Sequence, residues 1–467
     1  MKTEGKKGNR YEYMTKTPVE KLIISLAIPT IISMLVTGIY SSADTYFIGQ
    51  IHNDATKATA AVGLMFPVMA IIQAMGFMFG HGSGNFLSRM LGAGKKEEAS
   101  KMASTGFALA LIVGIIIAVF GNIFINQIVG FLASKDMSVK TTEMAVVYGR
   151  IILIGAPFMM CQFVVNNQLR YQGSAVYAMV GLLTGAIINI FLDPILILLL
   201  DMGIMGAAIA TVIGQVISFV ILIVGSMTGE NIKLRLSDVA INRYYITEVI
   251  NGGAPSLFRQ GLASVATILL NKAAGNAGGE AAIAAMSIVT RVMMLLLSSL
   301  IGFGQGYQPV CSFNYGAGLK KRVKDGYYFC VKWGTIFLIC IAVLCFVYAP
   351  SIIGFFRNDS EVIKIGAKAL RFQAVIFPIN SVIIMTNMML QSMGKGIKAS
   401  ITSSARNGIC FIPVILILPH FLGLTGVQMT QPLADTLTLL ITIPFAVSEL
   451  KKLKEDTKAN AKSEETV

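Results

Sequence analysis

The chain has 467 residues, of which 55% are hydrophobic and only 13% are charged. Its mean hydropathy is +0.70. This composition excludes a soluble globular protein and is typical of a membrane protein with many spans. The net charge of +14 comes from Lys and Arg residues near the ends of apolar segments. It therefore predicts cytoplasmic loops and contact with anionic lipid headgroups, and no nucleic-acid partner.

Apolar runs of about 20 residues or more are long enough to cross a hydrocarbon core about 30 Å thick. The sequence contains about twelve such runs, near residues 21–50, 58–88, 100–129, 143–169, 175–200, 204–226, 245–274, 281–313, 328–355, 363–391, 398–419 and 423–448. They predict an all-α integral membrane protein. An outer-membrane β-barrel is excluded because its strands have only about ten residues, which alternate between apolar and polar, whereas these runs are longer and continuously apolar.

The longest interruption of apolar sequence, Thr228 to Arg243, divides the chain into two parts. We predict a cytoplasmic N-terminus at 1–20, a six-helix bundle at 21–226, a cytoplasmic linker at 227–244, a second six-helix bundle at 245–448 and a cytoplasmic tail at 449–467. Both termini are expected inside the cell because Lys and Arg flank the spans on that side.

The second half repeats motifs of the first half in the same order. Gly92-Ala93-Gly94 returns as Gly316-Ala317-Gly318. A longer series returns without an insertion, since Arg150, Pro157, Asn166, Leu169 and Gly173 correspond to Arg371, Pro378, Asn387, Leu390 and Gly394. The chain is therefore a duplicated unit. An even number of spans in each half predicts that the two bundles are parallel repeats.

Motifs of enzymes and metal sites are missing from the sequence. It contains no His-Glu-x-x-His, no Gly-x-Ser-x-Gly and no Walker loop, and it has only three histidines. We therefore predict that the protein is not an enzyme, and that it has no catalytic residue, no metal site and no cofactor.

Two carboxylates lie inside apolar runs of the first half, where a charge is costly and usually functional. Asp44 comes late in the first span and Asp193 comes late in the fifth. Tyr40 and Asn189 each precede one of these acids by four residues, a spacing that places each pair on one helical face. Thr211 comes early in the sixth span, so all five polar groups are expected at a similar depth.

The second half offers an internal comparison. Leu270 lies opposite Asp44 in the repeat, and Ile412 lies near the position of Asp193. Asp435 is the one acid of the second half within a predicted span. Because the two acids of the first half have aliphatic counterparts in the second half, we predict that the two halves differ in function.

These residues resemble the multidrug and toxic compound extrusion (MATE) family, within it the MepA-like bacterial branch. The resemblance covers essentially the whole chain. It is carried by Pro29, Tyr40 and Asp44, by the repeated Gly-Ala-Gly, by Leu169-Arg170-Tyr171-Gln172-Gly173, by Asn189-Ile190-Phe191-Leu192-Asp193-Pro194 and by Gly203-Ile204-Met205-Gly206.

The resemblance implies a V-shaped antiporter of two six-helix lobes in the bacterial cell membrane. Such a protein exports cationic, lipophilic compounds, antibiotics among them, against an inward flow of protons or sodium. The matching ion-coupling residues are Pro29, Tyr40, Asp44, Asn189, Asp193 and Thr211. A monomer is expected. The seventh span lacks the acid that other branches carry, since Arg259, Gln260 and Asn271 offer no carboxylate.

A promiscuous substrate cavity is expected to use flexible thioethers. The candidate cavity residues are Met65, Met69, Met286, Met293, Gln260 and Asp435. Packing within the bundles is an alternative explanation for each methionine.

A second function remains open on the same superfold, a flippase or exporter of a lipid-linked or other anionic precursor. It would need a cationic cavity, for which the candidates are Arg150, Arg170, Arg259, Arg291 and Arg371. The sequence leaves open the substrate and the choice between proton and sodium.

Overall fold

The structure, a computed structural model, describes residues 10–51, 54–133 and 137–464, without the side chains of Ile39, Ser41, Ser42 and 458–464. The outermost parts of the predicted N-terminus and tail, residues 1–9 and 465–467, lie outside this description.

The described chain is helical, which confirms the all-α prediction. The helices are α1 (Arg10–Lys16), α2 (Val19–Ile48), α3 (Ala55–Gly92), α4 (Lys96–Ile123), α5 (Ile125–Leu132), α6 (Val139–Tyr171), α7 (Ala175–Pro194), α8 (Gly203–Ser226), α9 (Arg243–Gly316), α10 (Lys320–Val347), α11 (Ala349–Phe356), α12 (Ser360–Ile376), α13 (Asn380–Ser392), α14 (Gly396–Ser404) and α15 (Phe411–Glu464). Two π-helical turns, Ile195–Leu199 and Ala405–Ile409, follow α7 and α14.

Ten helical segments of the described residues are long and apolar enough to cross a membrane. Two of them contain a break. In α9, Gly278 and Gly279 leave the helical conformation, and in α15 Gly423 does so with a φ of 55°. These breaks fall where the sequence separates neighbouring apolar runs, so the structure is consistent with the predicted twelve spans.

The duplication is visible in the backbone. Backbone positions with a positive φ favour glycine, because a residue with a Cβ atom is strained in that conformation. Such glycines recur at equivalent places in the two halves: Gly94 (75°) and Gly318 (77°), Gly173 (82°) and Gly394 (75°), and Gly203 (54°) and Gly423 (55°). The same turns therefore lie at the boundaries of equivalent helices in both halves.

Side-chain hydrogen bonds repeat as well. The Asn166 amide donates to the Ala178 carbonyl at 2.9 Å. Its counterpart Asn387 donates to the Ala399 carbonyl at 2.7 Å. Each hydrogen bond connects one helix to the helix that follows the glycine turn. The repeated sequence motif therefore makes the same contact in both halves.

The helices form two compact units, which we call the N-unit (Ile32–Gly253) and the C-unit (Met1–Ile31 with Ala254–Val467). Compared with the predicted bundles, the start of α2 groups with the second half and the start of α9 groups with the first half. The predicted bundle boundaries themselves stay a prediction.

Glycine contacts explain this grouping. In the C-unit a Cβ atom on Gly306 would overlap the Ala27 backbone, and one on Gly302 would lie 2.8 Å from Ile31 Cα. In the N-unit Gly82 meets the Val249 backbone in the same way. Small residues allow two helix backbones to approach closely, which is how helices associate in membranes.

The predicted linker is an extended strap on the N-unit rather than a domain. Its backbone N–H groups donate to side chains of the neighbouring helices: Ile232 N to Gln172 Oε1 at 2.6 Å, Arg235 N to Ser104 Oγ at 3.1 Å and Ala240 N to Thr105 Oγ1 at 2.9 Å. Side chains of the N-unit therefore accept hydrogen bonds from backbone N–H groups that an extended segment cannot pair within itself.

Candidate functional site

Four polar residues predicted in the spans of the N-unit come together, three of them through Asn189. Asp193 is fully buried, and Asn189 lies one helical turn before it on α7. The Asn189 amide nitrogen donates to Asp193 Oδ2 at 3.1 Å, and its oxygen accepts from Thr211 N of α8 at 3.1 Å. This orientation follows because a carboxylate only accepts and a backbone N–H only donates. Tyr40 of α2 shares hydrogen bonds with the side chains of Thr211 and Gln215.

Asp44 completes this group of residues, which we call the acidic cluster: Tyr40, Asp44, Asn189, Asp193 and Thr211. The Asp44 Oδ1 atom is buried and has no hydrogen-bond partner among the described residues. The Asp44 and Asp193 carboxyl groups are close enough to interact electrostatically. The structure therefore brings together the five polar groups that were expected at a similar depth, while their role in ion coupling stays a prediction.

The charges of the acidic cluster are uncompensated. Within the part of the chain that the structure describes, neither Asp44 nor Asp193 has a Lys or Arg partner. Two carboxylates at close range in a medium of low dielectric constant do not both remain ionised and unpaired. The pair therefore calls for a proton or a metal cation, and its titration belongs to both groups together.

Two further residues belong to this site and were not predicted. Tyr148 of α6 is fully buried, interacts electrostatically with Asp44 and Asp193, and donates its hydroxyl to the Met69 sulfur at 3.7 Å. Gln215 lies one turn after Thr211 on α8, so its spacing could have revealed it. Nothing in the sequence marks Tyr148, because α6 carries no acid beside it.

Close helix packing positions the cluster. A Cβ atom on Gly185 of α7 would lie 2.6 Å from the Gly214 carbonyl oxygen of α8, and one on Gly214 would lie 2.8 Å from the Gly185 oxygen. This crossing is one turn from Asn189 and fixes its distance to Thr211. The π-helical turn Ile195–Leu199 begins two residues after Asp193. Such turns are frequent at functional sites.

Pro29 is not part of the N-unit but belongs to the C-unit. It lies in α2, eleven residues before Tyr40. The predicted role of Pro29 in ion coupling stays a prediction.

The candidate cavity residues differ in their surroundings. Met65, Met286 and Met293 are buried, and Met65 packs on Gly149, where an added Cβ atom would lie 2.5 Å from the Met65 methyl group. Met69 is half-buried beside Tyr148, and Gln260 is half-buried. Their part in substrate binding stays a prediction.

Outside the acidic cluster, the described residues offer no further candidate site for a metal ion. The described residues contain no group of three or more His, Cys, Asp or Glu side chains arranged to hold a metal ion. Asp435, the acid of the second half, forms a salt bridge with Arg406.

Comparison with known proteins places this site in a family. The sequence model of the MatE family matches residues 29–195 and 255–417. The chain belongs to the MATE family. The two matched segments are the two halves of the duplication, and the acidic residues of the cluster lie in the first.

Relatives match over nearly the full length. The multidrug export protein MepA of Staphylococcus aureus is 27% identical over 453 residues, 97% of this chain and 98% of its own. The solved structure of a multidrug resistance MATE family transporter of the MOP superfamily in an outward-facing conformation superposes with a TM-score of 0.87 at 26% identity, covering 95% of this chain and 98% of its own.

A third relative is a MOP superfamily transporter from Pyrococcus furiosus, whose reverse polarity of the binding pocket is described as suggesting a different function. It gives a TM-score of 0.88 at 26% identity over 96% of this chain and 99% of its own. As a member of the MATE family with many apolar helices, the protein is a multi-pass membrane transporter and not an enzyme, as predicted.

Proposed function

We propose that this protein is a secondary active multidrug exporter, which moves cationic, lipophilic compounds outward in exchange for protons or sodium ions. The observation that carries the proposal is the acidic cluster, where two interacting carboxyl groups lack a basic partner in the described chain. Export of many drugs is supported by the multidrug export protein MepA, which is similar over its whole length.

The cluster can couple an ion to a conformational change. An incoming cation removes the repulsion between Asp44 and Asp193, and Asn189 and Tyr40 supply polar contacts around the pair. Coupling requires only that the cation and the substrate bind the two access states with different affinity. A cation that enters from outside and leaves to the inside therefore drives substrate in the opposite direction.

The setting of the protein is part of the proposal. We place it in the bacterial plasma membrane as a monomer with both termini in the cytoplasm, because Lys and Arg residues flank the spans on that side. The basic loop after α3 and the equivalent loop after α9, with Lys95, Lys96, Lys320 and Lys321, then face anionic headgroups of the inner leaflet.

Dye efflux from proteoliposomes tests this function. Vesicles holding a lipophilic cationic dye receive either a proton gradient or a sodium gradient, and the gradient that drives export identifies the coupling ion. Asp54→Asn is the matched control for changes in the cluster, because Asp54 is an acid outside the spans that pairs with Lys57 and Lys140. Failure of both gradients to drive any cationic dye would refute antiport.

The alternative, export of an anionic precursor, depends on convergent arginines. Arg150 and Arg170 are twenty residues apart on α6, about 30 Å along its axis, so they cannot bind one headgroup together. Arg170 is buried and donates to Asn167 Oδ1. Arg170 therefore has a structural contact, and the separation from Arg150 weakens this alternative. An anionic lipid probe in the same vesicles separates the two functions.

A further inference from the structure

A second buried polar cluster lies within the C-unit, around the carboxylate of Asp435 on α15. Asp435 is 5% exposed. Arg406 Nε donates to Oδ1 at 2.9 Å, Gln431 Nε2 donates to Oδ1 at 2.7 Å and Asn380 Nδ2 donates to Oδ2 at 2.9 Å. A second guanidinium nitrogen of Arg406 lies 3.4 Å from Oδ2. Both carboxylate oxygens therefore accept hydrogen bonds from the Arg406 guanidinium and from a neighbouring amide.

The repeat relates this cluster to the acidic cluster of the N-unit. The equivalent glycines Gly203 and Gly423 set an offset of 220 residues for the helices that follow them. With this offset Gln431 corresponds to Thr211, and Asp435 corresponds to Gln215, the residue that contacts Tyr40. At this helix position the second half therefore has an acid, whereas the first half has an amide.

The arginine is brought in by an irregular piece of backbone. Arg406 belongs to the π-helical turn Ala405–Ile409. In the repeat that relates Gly173 to Gly394, Arg406 takes the place of Gly185. The first half has no side chain where the second half has a cation.

We propose that Asp435 and its neighbours form a cation site that the chain fills with its own Arg406. An isolated carboxylate buried in a membrane protein needs a proton or another cation. A guanidinium supplies that charge permanently, because it does not lose its proton and fits a carboxylate with two parallel N–H groups. The second half is therefore closed to exchangeable ions, and only the N-unit couples transport to an ion.

One atom marks the place where an external cation would bind once the arginine is removed. Asn380 Oδ1 is buried without a hydrogen-bond partner in the described part of the chain. It lies on the amide whose nitrogen already contacts Asp435. The Cys410 thiol also interacts electrostatically with Asp435. A proton, a sodium ion or a lipophilic ammonium group could then occupy a site built from Asp435 and Asn380.

Carbodiimide labelling tests the proposal without measuring transport, so it is independent of the proposed antiport function. Dicyclohexylcarbodiimide modifies protonated carboxyl groups in apolar surroundings, and mass spectrometry of peptides locates the label. In the unchanged protein Asp435 should stay unlabelled from pH 5 to pH 8. In Arg406→Gln its labelling should rise by about tenfold or more, because loss of the partner disfavours the buried charge. Labelling of Asp435 in the unchanged protein would overturn the proposal.

Two variants control this experiment. Lys398→Gln removes the cation of another ion pair in the same unit, with Glu449 at 2.5 Å, and should leave Asp435 unlabelled. Arg406→Gln with Asp435→Asn removes both charges, so the protein should fold and should unfold at a temperature closer to that of the unchanged protein than Arg406→Gln does. If a folded Arg406→Gln protein leaves Asp435 unlabelled, or if the double variant is no more stable than Arg406→Gln, Arg406 does not supply the charge that Asp435 needs and the proposal is wrong.

Discussion

At the scale of the residue, the decisive contrast is between carboxylates with and without a fixed counter-charge. Asp193 is as deeply buried as Asp435. Asp435 is paired with Arg406, whereas Asp44 and Asp193 face each other and polar neutral groups. Burial alone therefore does not identify a coupling acid. A coupling acid is identified by surroundings that can accept and release a cation.

Replacement of Asp44 or Asp193 by Asn should reduce gradient-driven dye export to background, while insertion and folding persist. Asn keeps the size and polarity of the side chain but cannot take up a proton or hold a cation charge. The double variant should cost little more than either single one, because the two acids act as one coupled site. Dye efflux from proteoliposomes measures this, and normal export by Asp44→Asn would move the ion pathway elsewhere.

Asp435→Asn should affect coupling less, but it should affect stability. The change leaves the half-buried Arg406 guanidinium without its carboxylate. Removal of one partner of a fully buried pair costs about 3–5 kcal/mol, so the loss here should approach the lower end of that range. Thermal unfolding followed by fluorescence size-exclusion chromatography measures the loss. The expectation fails if Asp435→Asn unfolds at the normal temperature and abolishes export.

At the scale of the element, glycines decide how closely helices approach at the site. Gly214 of α8 faces the backbone of α7, whereas a Cβ atom on Gly225 of the same helix would meet Tyr177 at an ordinary contact distance of 3.5 Å. The two glycines therefore differ in what a methyl group would do, although both lie in an apolar helix.

Gly214→Ala should push α7 and α8 apart and lengthen the contact between Asn189 and Thr211. Overpacking of this kind costs about 1–3 kcal/mol. We expect a lower unfolding temperature and severalfold slower export, measured on the same purified sample. Gly225→Ala is the matched control and should behave normally. Equal effects of the two changes would show that the crossing of α7 and α8 is not special.

The strap after α8 depends on side chains of α4 for its hydrogen bonds. Ser104→Ala with Thr105→Ala leaves the N–H groups of Arg235 and Ala240 without their partners. Each lost bond weakens docking by about 1 kcal/mol. Hydrogen exchange of peptides covering residues 232–241 should speed up by about an order of magnitude, and peptides from α6 should not change. Unchanged exchange in the strap would mean that other contacts hold it.

At the scale of the whole molecule, each compact unit contains most of one half of the duplication and the beginning of a helix from the other half. The start of α2 packs in the C-unit against Gly302 and Gly306, and the start of α9 packs in the N-unit against Gly82. The symmetry of this exchange follows from the duplication, since the glycine motif is present in both halves.

Gly306→Val should disturb the C-unit, because the new side chain overlaps the Ala27 backbone. Gly261→Val in the same helix is the control, since a Cβ atom there meets nothing within 4 Å. We expect a smaller monodisperse fraction and a lower unfolding temperature only for Gly306→Val. A normal Gly306→Val protein would contradict the packing of α2 in this unit.

The sequence by itself determined the helices, the breaks between them, the duplication and the main members of the acidic cluster. These features are local: apolar runs, turn glycines such as Gly423, and the four-residue spacing of Tyr40 with Asp44 and of Asn189 with Asp193. The cost of a charge in a membrane makes such acids stand out without any knowledge of their neighbours.

Only the tertiary structure decided which side chains meet across distant helices. It brought Tyr148 to the acidic cluster, paired Arg406 with Asp435, and exchanged the first parts of α2 and α9 between the units. The physical reason is that a salt bridge or a helix contact depends on packing between segments far apart in sequence. No periodicity along the chain records that packing. A buried acid in the sequence can therefore be either an ion-coupling group or half of a closed pair, and only the partner decides.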